Sequence, residues 1–350
     1  ATRGIFARAN YSFDARYFAS VSFRRDASSR FAPDQRWGNF WSVSGAWDAA
    51  KEQFTQDLTW LDQLKVKASF GQQGNDDLLY DDGTSNYYPY QDQYRVTGAN
   101  GIWSDGELYY KGNSKITWET SNNFNAGIDF SVFNSMLSGT VEYFNRQTSD
   151  MLYNKPVSPS NGYSSIPMNI GSMRNNGVEI ELNYRPVDTK NITWDINYNI
   201  TFINNKILKL HPDLNGELIS GSRIYREGRS MYELYLPKYM GVDPTTGLAL
   251  YLDRDPIVDA DGNQIEIDGE LQWSEEYLST NGAHAYSNNR KATGNLMPKA
   301  YGGFGTTLNA YGFDFSIAFA YQFGGKIWDY TYQDLMHSGN GSDMGRNWHK

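Results

Sequence analysis

The sequence contains no cysteine among its 350 residues. This absence excludes disulfide scaffolds, thiolate zinc sites and cysteine nucleophiles together. No H-E-x-x-H, G-x-S-x-G or phosphate-loop pattern occurs. The four histidines, which are predicted to lie in loops and have no metal-ligand spacing, are His211, His284, His337 and His349. Carboxylate pairs are common, but their ordinary role is that of solvated charge, so the sequence predicts neither an enzyme nor a cofactor.

Long apolar runs and an excess of positive charge are also missing. No segment approaches the roughly 18 apolar residues that a transmembrane helix needs. The formal net charge is −9, and the absence of a basic stripe argues against a nucleic-acid partner. The mean hydropathy of −0.64 is typical of a soluble protein. It is also compatible with a membrane barrel, because half of each barrel strand faces a polar lumen.

Aromatic residues and strict alternation are what the sequence has in abundance. It contains 26 Tyr, 18 Phe and 10 Trp, and amphipathic aromatic rings suit a membrane–water boundary or a sugar-binding surface. Within Ile192–Phe202 every second residue is apolar, which indicates a strand with one apolar face. Eleven residues at about 3.3 Å each, tilted by about 45°, span roughly 25 Å, the height of the apolar band of an outer-membrane barrel.

Ten such strands are predicted, and the links between them alternate in length. The strands are Gly4–Phe13, Arg16–Arg25, Trp37–Trp47, Gln63–Phe70, Asn122–Val132, Met136–Gln147, Asn176–Arg185, Ile192–Phe202, Lys299–Leu308 and Phe313–Phe323. The longest links cover about residues 71–121, 148–174 and 204–298, and the prolines of the second predict that it contains no paired strand. Short turns on one rim and long loops on the other predict an all-β, antiparallel transmembrane β-barrel segment.

For strands that cross a membrane, the energetic cost of placing charged side chains in lipid determines which face of each strand points to the lipid. Glu179 and Glu181 alternate with Ile180 and Leu182. An arginine at mid-depth on a lipid-facing surface costs roughly 2–4 kcal/mol, and acidic residues cost somewhat less. We therefore expect the charged face to line the lumen. The same alternation would suit a water-exposed sheet, so a soluble protein stays open at this point.

Several phrases in collinear order closely resemble the barrel of SusC/RagA-type TonB-dependent transporters, and the resemblance covers nearly the whole chain. They are Tyr11-Ser-Phe-Asp14, Ser22-Phe-Arg-Arg-Asp26, Ser28-Ser-Arg-Phe31, Arg36-Trp-Gly-Asn-Phe-Trp-Ser42, Leu64-Lys-Val-Lys-Ala-Ser-Phe-Gly-Gln-Gln-Gly-Asn75, Trp118-Glu119, Asn175-Asn-Gly-Val-Glu179, Gly241-Val-Asp-Pro-Thr-Thr-Gly247 and Asp259-Ala-Asp-Gly-Asn263.

The resemblance implies a 22-stranded barrel of which residues 1–350 supply about ten strands, with the plug domain lying outside this sequence. It implies import of oligosaccharides or peptides across a Gram-negative outer membrane. The implied partners are a SusD-like surface lipoprotein that acts as a lid, TonB acting through a region absent here, and outer-membrane lipid. A dimer of transporter–lipoprotein pairs is left open by the resemblance.

Aromatic residues of the long loops are the candidate substrate contacts, since flat rings stack on sugars and on peptide side chains. They are Tyr87, Tyr88, Tyr90, Trp103, Tyr109, Tyr110, Trp273 and Tyr277. The alternative is that large loops bury their own aromatic residues. A weak calcium candidate comprises Asp259, Asp261, Asn263 and Glu270, but Gln264 stands where a calcium loop requires glycine. Asp-Gly-Asn is also ordinary turn chemistry.

Two other functions remain open from the sequence. One is a soluble or surface-exposed β-rich glycan-binding protein or glycosidase, which would be monodisperse without detergent. The other is an outer-membrane adhesin or scaffold that performs no transport. The sequence does not distinguish a glycan substrate from a peptide substrate, because the predicted lumen face carries both signs of charge and many amides.

Overall fold

The computed structural model of the chain describes residues 1–80, 83–95, 98–99, 102–103, 107–214, 216–267, 270–327 and 329. The chain divides into two compact units. The first comprises Ala1–Leu218, Tyr225–Met231 and Ala300–Gln322. The second comprises the described residues of Ile219–Ile224, of Tyr232–Lys299 and of the segment that begins at Phe323.

A ten-stranded antiparallel sheet, with its strands adjacent in chain order, dominates the first unit. The strands are β1 (Thr2–Phe13), β2 (Tyr17–Ser28), β3 (Trp37–Asp48), β4 (Leu61–Asn75), β5 (Glu119–Val132), β6 (Leu137–Ser149), β7 (Ser172–Asp188), β8 (Ile192–Lys209), β9 (Ala300–Ala310) and β10 (Phe313–Phe323). All ten predicted strands are therefore confirmed, as is the all-β antiparallel fold class.

Three strand pairs of the sheet, β1–β2, β5–β6 and β9–β10, are joined at one end by tight turns whose residues have positive φ. Asp14 and Ala15 have φ values of 51° and 50°, and the Arg16 amide donates to the Phe13 carbonyl at 3.0 Å. Two consecutive positive φ values are typical of a type I′ turn, whose twist matches that of the flanking strands. Tyr311 and Gly312 form the corresponding link between β9 and β10. The β3–β4 link contains two 3₁₀ helices, Ala49–Lys51 and Gln53–Thr55.

Register aligns apolar side chains across the sheet. Tyr143 of β6 lies opposite Ala126 and Val178, and Val178 lies opposite Phe202 of β8. These rows are open rather than covered by a second layer, because large side chains such as Phe202 and Phe315 are 46% and 58% exposed. The apolar face is therefore not the interior of a soluble β-sandwich, in which it would be buried.

The predicted strands end too early at the long-loop end of the sheet. β8 continues from Phe202 to Lys209, and its buried side chains there include Asn205 and Ile207. The side chains on the previously apolar face become polar at Asn204 and Lys206. The apolar period therefore stops before hydrogen-bonded pairing does, which is why the pattern underestimates strand length.

The prediction that residues 148–174 contain no paired strand is wrong. Leu152–Pro156 pairs with Ser165–Asn169, and Pro167 lies opposite Asn154. A two-stranded ribbon leaves one edge of each strand without a neighbour. A proline directed to that edge removes no ladder hydrogen bond, so prolines are tolerated there.

Loops at the long-link end of the first unit share a small core. Phe31, Leu78 and Ile116 are buried and contact one another. Trp118 packs against this cluster with its ring 5.3 Å from that of Phe31, and its indole nitrogen donates to the Arg36 carbonyl at 2.9 Å. Leu152 of the β6–β7 link also packs against this cluster. The β2–β3, β4–β5 and β6–β7 links are thus one packed structure rather than three independent loops.

The second unit contains short strands and the α-helix α1 (Gly282–Asn288). Glu233–Pro237 pairs with Arg290–Asn295, while Tyr239–Val242 and Tyr277–Ser279 flank Ala249–Asp253. His284 lies in α1, which corrects the prediction that every histidine is in a loop. Within the described ranges, no helix has both the length and the apolar character needed to cross a bilayer.

The remaining short elements lie in the long links. The strands are Gln93–Arg95, Gly98–Ala99, Ile102–Trp103, Glu107–Tyr110, Glu217–Ser220, Arg223–Arg226, Glu266–Ile267 and Glu270–Leu271. The 3₁₀ helices are Pro159–Asn161 and Pro212–Leu214.

Candidate functional site on the polar wall and rim loops

The polar face of β1–β6 contains two adjoining cavities, which are lined in part by small side chains. One has a volume of about 490 Å³ and the other about 750 Å³. Ser44, Ser69 and Asn125 line both cavities, so the two form one continuous groove along the strands. Hydroxyl and amide groups suit contact with water or with a polar solute, because they both donate and accept hydrogen bonds.

A charge network lies at one end of this groove. The Lys67 ammonium is 2.9 Å from an Asp129 carboxylate oxygen and 3.2 Å from one of Glu142. Glu142 lies directly opposite Glu179 in the register. Two like charges in facing positions repel each other, so Lys67 offsets an unfavourable pair on the wall.

Gly127 makes this network possible. It lies between Lys67 and Glu142 in the register. A Cβ atom there would come within 3.2 Å of the Lys67 Cε atom and 2.9 Å of the Val141 carbonyl oxygen. The missing side chain therefore leaves room for the lysine to extend across β5 to the glutamate on β6.

Part of the predicted aromatic set lies in the packed loops of the first unit. Tyr87 and Tyr88 are 59% and 57% exposed, and the Arg30 guanidinium lies 5.1 Å from the centre of the Tyr87 ring. Tyr90 packs against the loop core. Tyr110 is buried and donates to the Asn154 amide oxygen at 3.0 Å. Two rings thus face outward while two contribute to the loop structure.

The rest of the predicted aromatic set is more scattered. Trp273 and Tyr277 belong to the second unit. The Arg254 guanidinium lies 4.0 Å from the centre of the Trp273 ring, and the Tyr277 hydroxyl donates to an Asp255 carboxylate oxygen at 3.0 Å. The side chains of Trp103 and Tyr109 fall outside the described residues.

The weak calcium candidate has its first carboxylate engaged in its own turn. One Asp259 oxygen accepts from the amides of Asp261 and Asn263, at 3.0 and 2.9 Å. These donors, with that of Asn263 foremost, hold the pKa of Asp259 below its ordinary value. Glu270 pairs through its backbone with Ile267. In the part of the chain that the structure describes, no three His, Asp or Glu residues form a group that could hold a metal ion.

Sequence reasoning missed the acidic partners of His284 in the second unit. Its Nδ1 atom is 2.8 Å from the buried Asp253 carboxylate, and its Nε2 atom is 3.5 Å from that of Asp255. The separation of 31 residues between His284 and Asp253 gave no motif. Asp253 ends a loop strand that pairs with Tyr277–Ser279, and α1 follows that second strand. The contact therefore depends on a strand pairing that the sequence does not reveal.

The comparisons with known proteins decide the family. The model of the "TonB dependent receptor-like, beta-barrel" family matches residues 1–340. The chain belongs to this family. Family membership confirms the resemblance and the barrel-type fold, and the similar proteins are named as receptors and transporters rather than as enzymes.

The family includes relatives of known name and structure. TonB-dependent receptor P39 of Formosa agariphila is 28% identical over 363 residues, covering 96% of this chain and 34% of that protein. TonB-dependent receptor SusC of Bacteroides thetaiotaomicron is 34% identical over 212 residues, covering 59% of this chain and 20% of that protein. The chain spans about a third or less of the length of these relatives.

A solved structure, that of the RagAB peptide importer in its closed-closed state, superposes with a TM-score of 0.75. The sequences are 27% identical, and the alignment covers 93% of this chain and 33% of the matched chain. A second structure, of the RagAB peptide transporter, gives a TM-score of 0.74 at 28% identity over 92% of this chain and 33% of the matched chain.

Proposed function

We propose that the chain supplies barrel wall and outer loops to a SusC-like TonB-dependent transporter in the outer membrane of a Gram-negative bacterium. The transporter imports oligosaccharides or peptides, and a SusD-like surface lipoprotein covers its outer mouth. The observation that carries this proposal is a ten-stranded sheet with an exposed apolar face and a grooved polar face, within a TonB-dependent receptor family. An amphipathic wall of this kind fits between lipid and a water-filled lumen.

The long links, at about residues 71–121, 148–174 and 204–298, are assigned to the extracellular side. In outer-membrane barrels the periplasmic turns are short and the extracellular loops are longer. The links that close through Asp14–Ala15 and Tyr311–Gly312 have the periplasmic form. On this assignment Tyr87 and Tyr88 lie on the outer rim, where they are available to a substrate or to the lid.

Both substrate classes have support. SusC of Bacteroides thetaiotaomicron and the RagAB peptide importer are each similar to this chain. The groove carries hydroxyl and amide groups beside charges of both signs. A glycan would form hydrogen bonds with the hydroxyl and amide groups, and a peptide would interact with these groups and with the charged side chains.

Uptake of labelled substrate by cells that contain or lack the full-length gene tests transport. Cells lacking the gene should lose uptake of one of the two substrate classes, labelled oligosaccharides or labelled peptides, and a SusD-like lipoprotein should copurify with the transporter in detergent. An adhesin would instead lose surface binding with uptake intact. A full-length protein that stays monodisperse in buffer without detergent would contradict membrane insertion.

A further inference from the structure

The apolar face of the sheet carries a polar patch where β6, β7 and β8 approach the long-loop end. We call it the amide–cation patch. It consists of two cross-strand rows, Asn145–Asn176–Asn204 and Gln147–Arg174–Lys206.

The patch continues the apolar face rather than the grooved one. Between Tyr184 and Arg174 the pairing of β7 with β6 runs without a bulge. Arg174 therefore points to the same side as Val178, four residues away, because side chains alternate with a period of two. By the same alternation Lys206 shares a face with Phe202. The patch thus lies at the edge of the apolar band.

The two cations of the patch face each other without an acidic partner. Arg174 is directly opposite Lys206 in the register, and among the described residues neither forms an ion pair with a carboxylate. Like charges in facing positions repel. Lys67 on the grooved face instead contacts two carboxylates. Arg174 and Lys206 therefore give the patch a net positive charge, although the chain as a whole carries a net charge of −9.

Three polar atoms of the same patch are buried and have no hydrogen-bond partner within the described structure. They are Arg174 Nε, Asn145 Oδ1 and Asn176 Oδ1. The first is a donor and the other two are acceptors. Because the terminal amide torsion of asparagine is broad, Asn145 and Asn176 can turn their amide oxygens toward a ligand. A ligand that matches them has anionic oxygens to accept from Arg174 and hydroxyl or amide hydrogens to donate to the asparagines.

We propose that the amide–cation patch binds the phosphorylated sugar headgroup of a glycolipid of the lipid A class. Its phosphates pair with Arg174 and Lys206, and its sugar hydroxyl and amide groups donate to Asn145 and Asn176. Cations are tolerated near the interface of a barrel although they are costly at mid-depth. The proposal rests on the proposed function, since the long loops must face outward for this edge to meet the outer leaflet.

Binding of lipid A to the full-length protein in detergent tests the patch. The double variant R174Q/K206Q should raise the Kd for bis-phosphorylated lipid A by about tenfold or more, because each basic residue near a membrane surface strengthens binding to anionic headgroups. The control K115Q/K190Q removes two exposed lysines outside the patch and should leave the Kd unchanged. Heat-shifted migration on a denaturing gel checks that both variants are folded, and R174K/K206R should restore binding.

Two further probes separate the sources of phosphate. Dephosphorylated lipid A should bind the natural protein as weakly as phosphorylated lipid A binds R174Q/K206Q. Full competition by millimolar inorganic phosphate would overturn the glycolipid assignment, and equal Kd values for the natural protein and R174Q/K206Q would overturn the patch itself. Nutrient uptake is measured in the same strains, so a failure of transport is distinguished from a failure of lipid binding.

Discussion

At the scale of single residues, the short-link end of the sheet is held by a carboxylate with three donors. Glu52, in the β3–β4 link, accepts from the Tyr17 hydroxyl at 2.5 Å and from the Trp47 indole and the Arg16 guanidinium, both at 3.1 Å. These contacts, with the Tyr17 hydroxyl foremost, hold the pKa of Glu52 below its ordinary value of 4.5. Register brings the donors together, because Tyr17 lies opposite Trp47.

The lowered pKa of Glu52 predicts that this residue stabilises the fold near neutral pH and that the stabilisation is lost in acid. Because its folded-state pKa is depressed, the stabilisation is present above the ordinary value and is lost as the pH falls through the folded value. Glu52→Gln in the full-length protein should therefore flatten the dependence of unfolding on pH below about 4.5. Denaturant unfolding in detergent at several acidic pH values measures this effect.

Glu266→Gln is the control for this prediction, since it alters an exposed glutamate in a short strand of the second unit. It should leave the pH profile as it is in the natural protein. A profile for Glu52→Gln that is identical to that of Glu266→Gln would contradict the role assigned to Glu52.

A second residue-scale prediction compares neighbours on β8. Ile196 lies on the apolar face and Asn197 on the polar face. Ile196→Arg in the full-length protein should impair membrane assembly, because an arginine at mid-depth in lipid costs roughly 2–4 kcal/mol. Asn197→Arg should assemble normally. The amount of heat-modifiable protein in outer-membrane fractions gives the comparison, and equal tolerance of both variants would refute the assigned facing.

At the scale of elements, the strands could be predicted from the sequence because period-two alternation is a local property. The strand ends could not, since pairing continues past the apolar stretch at Asn204. The hairpin containing Pro167 was missed because tolerance of proline depends on which edge of a strand lacks a neighbour. The Lys67 network was equally inaccessible, because it depends on a register across three strands.

The shared core of the loops predicts that one buried ring orders several links. Phe31 is fully buried against Leu78 and Ile116. Removal of a buried phenylalanine costs roughly 3–5 kcal/mol, so Phe31→Ala should open the β4–β5 link to protease on intact cells. Phe54→Ala, which removes a ring that is 70% exposed, is the matched control. Cleavage at the same rate in both variants would show that the links do not depend on this core.

At the scale of the whole molecule, the two faces of the ten-stranded sheet differ in chemical character. The apolar face is open along all ten strands, and the other face carries the serine-lined groove and the Lys67 network. The sequence predicted this division and the family to which the chain belongs. It did not predict which loop aromatic residues are exposed, because burial of Tyr110 and exposure of Tyr87 depend on packing among three links.

The most direct test of this account is a spin-label scan of β8 from Ile192 to Phe202. Single cysteines are introduced into the full-length protein, to which residues 1–350 contribute no cysteine, and the protein is labelled at these sites and placed in lipid vesicles. Labels at even positions should collide mainly with oxygen, which concentrates in lipid. Labels at odd positions should collide mainly with a water-soluble nickel complex, giving a period of two. The same accessibility at even and odd positions, or the opposite phase, would contradict the account.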